Sequence, residues 1–363
     1  MSIILFILIL AVLILVHEFG HFLAAKKSGV KVLEFGIGYP PFLFGIKKGE
    51  TLYSVNALPF GGFVKIYGED PDKESISGPE SHRSIVNKSK TIQAIILSAG
   101  VIFNIIFAWI LITIGFVSGL PTPITHAGPG VVENPELVIT AVQNDSPAFF
   151  ADIKPGDRIL EITAGSYILN ELKPELISNF IEAHADEELR IVHRRGEEIL
   201  ISQMNAVEGI IPGRQGIGIN MDTIGTLQLP IHQAMFEAGK TTINLLTVVT
   251  VGLGQFIGNT FTGQGDLSQI TGPIGIVGLV GDVSVLGWVY ILSFTAFISI
   301  NLAIINLIPF PALDGGRLLF LIIEAIKGSR INPKISNVLN AIGFFLLILL
   351  MIIVSINDVI RLF

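Results

Sequence analysis

His17-Glu18-Phe19-Gly20-His21 stands inside an apolar run that extends from Ile3 to Ala25. Four residues apart on a helix, His17 and His21 share a face and can each turn an imidazole nitrogen toward one metal ion. Glu18 lies beside that face, where a carboxylate can take a proton from water that the metal has acidified. From Ile3 to Val16 no side chain is charged or strongly polar. As a helix the run is about 34 Å long, enough to cross a bilayer. Two histidines and a carboxylate are costly in such a helix and mark a functional site.

The rest of the composition fits a membrane protein. Half of the 363 residues are hydrophobic and only 15% are charged, against about a quarter in an ordinary soluble domain. The absence of cysteine excludes disulfides and thiolate metal ligands. Charge is unevenly spread. Residues 127–222 carry sixteen acidic against seven basic side chains, a net −9, whereas 26–90 carry ten basic against seven acidic, a net +3. This asymmetry speaks of membrane sidedness, and no basic, aromatic patch suggests nucleic-acid binding.

These features predict three parts. In the first, 1–126, a spanning helix of about 3–25 is followed by Lys26, Lys27 and Lys31, which puts its C-terminal end in the cytoplasm. Residues 32–66 are broken by Gly36, Gly38, Pro40, Pro41, Gly45, Pro59, Gly61 and Gly62, too often for a helix. Phe42–Ile46 and Thr51–Val55 flank Lys47-Lys48-Gly49-Glu50, a β-hairpin that reads either as an ordinary cytoplasmic one or, as its apolarity suggests, as one that dips into the membrane against the rest of the protein. A polar cytoplasmic loop, 67–90, leads to a second span of about 91–117. Asn104 inside that span reads as an amide that holds helices together.

After a linker of Pro121, Pro123, Gly128, Pro129 and Gly130 comes the second part, 127–222, a compact acidic α+β module. Leu137–Val142, Ile159–Ile162, Leu189–His193 and Ile199–Ser202 are its strand candidates, and His184 and His193 read as ordinary surface or packing residues. The third part, 223–363, holds an interfacial helix of about 232–258, a third span of about 285–308 and a fourth of about 335–357. At the end of the third, Asn306-Leu307-Ile308-Pro309-Phe310-Pro311-Ala312-Leu313-Asp314-Gly315-Gly316 breaks the helix with two prolines and lets glycines turn the backbone around Asp314. Arg317, Lys327, Arg330 and Lys334 then mark a cytoplasmic loop. With four spans Asp314 reaches the depth of His17 and His21, whereas a fifth at 241–257 would place it on the opposite side. The expected architecture is therefore a polytopic α-helical membrane protein with four transmembrane helices, a membrane-reentrant β-hairpin and one extracytoplasmic α+β domain.

Catalytic zinc with two His ligands wants a third protein ligand and an open position. H-E-x-x-H is the pattern of zinc metallopeptidases, and paired with N-x-x-P-x-P-x-L-D-G it resembles the site-2 protease family of intramembrane zinc proteases. The likeness covers nearly the whole chain and is closest to the bacterial regulator of sigma-E protease type. Gly61-Gly62-Phe63-Val64-Lys65 is similar to that family's G-G-[FY]-V-K segment. Ala99-Gly100-Val101-Ile102-Phe103-Asn104 is similar to its A-G-P-x-x-N, with Val101 in place of proline, and Thr271-Gly272-Pro273-Ile274 to its G-P-I element. Ser146-Pro147-Ala148 followed by Lys154-Pro155-Gly156-Asp157 resembles the core signature of a PDZ domain, with Ala151-Asp152-Ile153 where A-G-L is usual.

The resemblance implies that His17, His21 and Asp314 hold Zn2+ and that Glu18 is the proton acceptor. Asn306 would stabilise the oxyanion or hold the substrate strand. It also implies a multi-pass protein of the bacterial inner (plasma) membrane, with the N-terminus and PDZ-like module extracytoplasmic. Its substrates would be single-spanning transmembrane proteins such as anti-sigma factors or signal-peptide remnants, cut within the bilayer. The module would meet a peptide or a substrate ectodomain, and the hairpin at 42–55 would clamp the admitted strand. A silent PDZ scaffold is the first alternative, which the presence of Glu18 disfavours. A zinc transporter would call for polar groups along a whole path, whereas here they converge on one depth.

Overall fold

The computed structural model describes residues 2–70, 72–126, 130–211, 214–263 and 271–360. Gly128 and Pro129 of the expected linker lie outside them. The chain starts with α1 (Ser2–Lys27), β1 (Val32–Lys48), β2 (Thr51–Ile66), α2 (Lys73–Ser77) and α3 (Lys90–Ser118). It continues with β3 (Leu120–Pro123), β4 (Val132–Val142), α4 (Pro147–Phe150), β5 (Arg158–Ala164), β6 (Tyr167–Ile168) and α5 (Pro174–Ala183). Then come β7 (Leu189–Arg195), β8 (Glu198–Met204), β9 (Val207–Ile211), β10 (Arg214–Gly216) and β11 (Ile219–Leu227). The C-terminal part is helical: α6 (Ile231–Phe261), α7 (Pro273–Leu286), α8 (Trp288–Leu307), α9 (Asp314–Lys327) and α10 (Pro333–Ile360). Two compact units result, one of 1–113, 238–284 and 291–363, the other of 114–237 and 285–290.

In the first unit, α1 is apolar around its whole circumference, and Lys26 and Lys27 end it, where cations suit the helix dipole. Its N-terminal half packs Ile9 and Leu13 against Val280 of α7 and Phe294 and Ile298 of α8. Its C-terminal half packs Ala25 against Val32, Ile66 and Ile96. Among the described residues five helices, α1, α3, α6, α8 and α10, are long and apolar enough to cross a membrane by length and composition. That is one more than the four expected. The segment anticipated as an interfacial helix runs unbroken through Gly252, Gly254 and Gly258 for 31 residues, and only 6% of its most apolar stretch is buried. Glycine costs about 1 kcal/mol in a helix interior relative to alanine, which a long apolar helix absorbs. The loop expected after Asp314 is in fact α9, of 14 residues.

The expected hairpin is also larger than anticipated. Residues 42–48 pair with 51–56 as the sequence suggested, but 32–37 lie between 52–55 on one side and 62–66 on the other. The two long strands each fold back, near Pro40-Pro41 and near Leu58-Gly61, so that four strand segments lie side by side in the order 62–66, 32–37, 52–55, 42–48. The turn carrying Glu50 is tied to the end of α1, 2.8 Å from Lys26 Nζ and 2.6 Å from Arg83 Nη2. At the far end, Gly61 lies beside Ile14. The sheet thus runs back along α1 for about twelve residues, roughly 18 Å at 1.5 Å per residue, and Phe42, Leu43, Phe44 and Ile46 are exposed on it.

The last helix closes on the glycine-proline element. Asp358 near the end of α10 is buried and accepts from the backbone N–H of Gly272 at 3.0 Å and of Gly275 at 2.9 Å. It caps the N-terminus of α7, whose orphan donors and dipole both favour a carboxylate. A side chain at Gly272 would collide with Asp358 and Val354.

The second unit is built on a sheet of order β3-β11-β4-β5-β7-β8, with β6 on β5 and a separate β9-β10 pair. Its core joins Ile139, Ile159, Ile162, Leu189 and Ile191 of the strands to Ile177 and Ile181 of α5. The sheet reaches past 127–222 at both ends, because β3 pairs with the end of β11. Asp152, where glycine is usual, takes the left-handed conformation at φ 57°, which Asp tolerates better than most residues, and its carboxylate lies 3.0 Å from Arg195 Nη1.

Asp157 is fully buried. It accepts from Arg195 Nε and Nη2, both at 2.8 Å, and from the Lys154 N–H at 3.0 Å. His193, buried as well, puts Nδ1 2.9 Å from Asp157 and Nε2 3.0 Å from Ser202 Oγ. Burial raises the Asp157 carboxyl, but hydrogen bonds from Arg195 and His193 outweigh it and hold the group well below the usual carboxylate range. A depressed folded value stabilises above the unfolded value near 4 and loses that contribution as pH falls below it. Asp157→Ala leaves Arg195 and His193 without their buried partner and should cost about 3–5 kcal/mol. Thermal melting of the full chain checks this: the variant should melt lower at pH 7 and lose most of the destabilisation that the parent shows below about pH 4. Equal melting curves would deny Asp157 this role.

Candidate metal centre

His17 and His21 lie one turn apart on α1, both buried. Their Nε2 atoms are 3.1 Å apart, and Asp314 Oδ2 lies 2.9 Å from the first and 3.3 Å from the second. Among the described residues these three are the group of side chains that could hold a metal ion. Ligand atoms about 2.0–2.1 Å from a tetrahedral zinc are separated by about 3.3 Å, so the observed edges suit that ion with little adjustment. The donor chemistry, two imidazoles and a carboxylate with a fourth direction left open, also suits catalytic zinc.

Asp314 arrives there because the chain turns sharply after α8. Ala312 adopts φ 78° and Phe310 N–H closes on Ile308 O at 2.7 Å. Gly315 lies against the carbonyls of Leu307 and Ile308, which is where a side chain would have blocked the start of α9. The turn is seated on α10 through Asn340 Oδ1, which accepts from Ala312 N–H at 3.2 Å, and through Gly343 beside Pro311.

The histidines are oriented by α3. His21 Nδ1 faces the Ile96 carbonyl at 2.8 Å and His17 Nδ1 faces Asn104 Nδ2 at 3.4 Å. Gly100 of α3 lies against both rings: a methyl group there would sit 2.6 Å from His17 Cε1 and 2.7 Å from His17 Nε2. Glu18, next in the chain, turns to the sheet, where Oε2 accepts from the Val64 N–H at 3.0 Å. Asn306 is half-buried near the end of α8, and no hydrogen bond joins its side chain to the cluster among the described residues. Sequence reasoning found the three clustered side chains and Glu18. It missed Gly100, the Ile96 carbonyl and Val64 N–H, and it gave Asn104 only a packing role. The one available signal was the segment Ala99–Asn104 itself, whose small residue and amide recur at helical spacing.

Comparison with known proteins agrees with this geometry. The profile of peptidase family M50 matches residues 5–350. The chain is 30% identical to the zinc metalloprotease RasP of Geobacillus kaustophilus over 442 aligned positions, covering 100% of this chain and 98% of that protein. It is 28% identical to the zinc metalloprotease RasP of Bacillus licheniformis, with 100% and 99% covered. It is also 26% identical to the regulator of sigma-W protease RasP of Bacillus subtilis, again with 100% and 99% covered. Zinc is accordingly its cofactor, and the long apolar helices are those of a multi-pass membrane protein. The chain belongs to peptidase family M50 and is an intramembrane zinc metalloprotease of the site-2 protease type.

Proposed function

We propose that His17, His21 and Asp314 hold the zinc and that Glu18 is the general base in cleaving single-spanning membrane proteins within the bilayer. The observation that carries this is the convergence of three donor atoms from α1 and α9 at separations of 2.9–3.3 Å. When bound, zinc acidifies water and polarises the scissile carbonyl. Glu18, adjacent to His17, takes the proton of the attacking water as the new C–O bond forms and passes it to the amide nitrogen as the C–N bond breaks. The Val64 N–H holds one oxygen of Glu18 in place for both transfers. Asn306 serves the oxyanion or the substrate strand from the end of α8.

A transmembrane helix hides its carbonyls in its own hydrogen bonds, so the cleaved segment has to be extended. Strand 62–66 pairs on one side only among the described residues, and its other edge faces Glu18 through Val64 N–H. This edge, rather than the 42–55 pair expected to clamp the substrate, is the better place for strand addition. The outer edge at 42–48 lies three strands away, about 14 Å at the usual spacing.

Charge supports a sidedness with 26–90 in the cytoplasm and the module of 127–222 and the N-terminus outside, and the bacterial relatives support placing it in a bacterial inner (plasma) membrane. Asp314 then shares a depth with the histidines only if α6 does not pass fully through the membrane. The PDZ-like module acts as a filter that holds back substrates with bulky ectodomains such as intact anti-sigma factors. Its runner-up role is peptide capture, which the left-handed backbone at Asp152 keeps open.

Three experiments test these assignments. Glu18→Gln should abolish cleavage of a single-spanning test substrate while zinc content stays near that of the parent, and Asp314→Ala should lose most of its zinc; tight, full occupancy in the latter would remove Asp314 from the centre. Single cysteines introduced into this cysteine-free chain should react with an impermeant thiol reagent in intact cells at position 170 and not at 330, and the reverse pattern would overturn the sidedness. In-frame deletion of 131–220 should speed cleavage of substrates that keep their ectodomains and leave truncated ones unchanged. Slower cleavage of truncated substrates would favour capture instead, and unchanged rates in a folded, zinc-loaded variant would dismiss both roles.

A further inference from the structure

The two histidines of the centre are held from behind in different ways. For Nε2 to offer its lone pair to a metal, the ring proton has to sit on Nδ1, and Nδ1–H then needs an acceptor. His21 has one that can only accept, the Ile96 carbonyl at 2.8 Å. His17 instead faces the amide of Asn104, whose Nδ2 is 3.4 Å from Nδ1. Asn104 is wholly buried, and among the described residues its Oδ1 has no hydrogen-bond partner. An unpaired buried carbonyl oxygen costs about 1–3 kcal/mol, and such an orphan beside a ring nitrogen calls for an explanation.

Turning the amide by half a revolution exchanges Oδ1 and Nδ2 within the same volume. In the orientation shown, Nδ2 donates to Nδ1, so the ring carries its proton on Nε2 and gives it to Asp314 Oδ2 at 2.9 Å. That arrangement spends the Nε2 of His17 on a proton shared with Asp314 and leaves the ring no lone pair for a metal. In the turned orientation Oδ1 accepts from Nδ1–H, and Nε2 and Asp314 both present lone pairs to the same point. The backbone around Asn104 is fixed in either case, because its carbonyl accepts from Ser299 Oγ of α8 at 2.8 Å.

We propose that Asn104 is a positioning residue of the zinc centre: through Oδ1 it accepts the Nδ1–H of His17 and commits Nε2 to the metal. This rests on the assignment of His17 as a ligand. It gives the amide a role beyond joining helices and makes α3 the common support of both histidines, with a main-chain acceptor for one and a side-chain acceptor for the other.

The test measures zinc affinity, by competition with a chelator on the full-length protein in detergent, together with melting of the zinc-free form. Asn104→Leu keeps the volume and removes the acceptor, and should weaken zinc binding by about 10- to 100-fold with little change in zinc-free melting. Asn104→Asp keeps an acceptor in place and should bind within about threefold of the parent, or more tightly. Parental affinity in Asn104→Leu overturns the inference, and so does a loss that Asn104→Asp fails to restore, since helix packing alone would then account for it. His17→Ala separates this from the larger assignment: if that variant keeps parental affinity, it is the metal centre that fails, whatever Asn104 does.

Discussion

At Gly20 the backbones of α1 and α3 come so close that a side chain on α1 would meet the Ala99 carbonyl and lie 3.0 Å from Phe103 Cβ. This close crossing sets the geometry of the site. It brings the Ile96 carbonyl, the Gly100 backbone and the Asn104 amide, three successive turns of α3, up to the imidazoles of His17 and His21. A side chain at position 100 would collide with the rings themselves, and one at position 20 with the backbone of α3. In a water-soluble enzyme such a pair of histidines could be steadied by solvent. Inside an apolar helix bundle the polar edges of the rings need partners from the protein itself.

The same constraint shapes what surrounds the cluster. Asp314 enters from a helix start, where N–H groups without partners favour a carboxylate, and the turn before it is braced on α10. Glu18 is tied to a sheet rather than to another helix. Irregular and edge backbone is tolerated at membrane depth only when protein covers it or a polar cavity receives it. The curled four-segment sheet pairs its inner segments on both sides and lays one of its two edges, 62–66, toward α1.

How much of this could be read in the residues depends on which groups make the contact. His17, Glu18, His21 and Asp314 make their contacts through side chains, whose types and spacing single them out in the sequence. Gly100, the Ile96 carbonyl and the Val64 N–H act through backbone or through the absence of a side chain, and such contacts leave almost no trace in a single sequence. The sheet shows a second limit. Alternation and turn residues located Phe42–Ile46 and Thr51–Val55, yet nothing in them says that 32–37 would slip between 52–55 and 62–66. α6 shows a third, because its glycines weaken a helix in water but do not end one, so length and exposure reveal what local propensity obscures. Asp358 lies one residue beyond the span expected over 335–357, and only its two N–H partners at Gly272 and Gly275 identify it as a cap.

The coupling of Glu18 to strand 62–66 has a consequence for how chemistry and substrate entry relate. If Glu18 is the base proposed above, a carboxylate fixed by one backbone N–H would keep its second oxygen for the proton, and the strand that supplies the N–H would set the angle of that oxygen. An extended segment joining the edge at 62–66 would compete for, or align with, the N–H groups of that very strand. Base and substrate would then share one rigid element, and a misplaced segment would disturb the base that has to act on it. Productive cleavage would require the strand to accept the substrate in the one register that leaves Val64 N–H to Glu18. Because side chains alternate with a period of two, a slip of one residue would reverse every side chain of the segment. The sheet edge would therefore supply register as well as affinity, a form of selectivity independent of any pocket for a particular side chain.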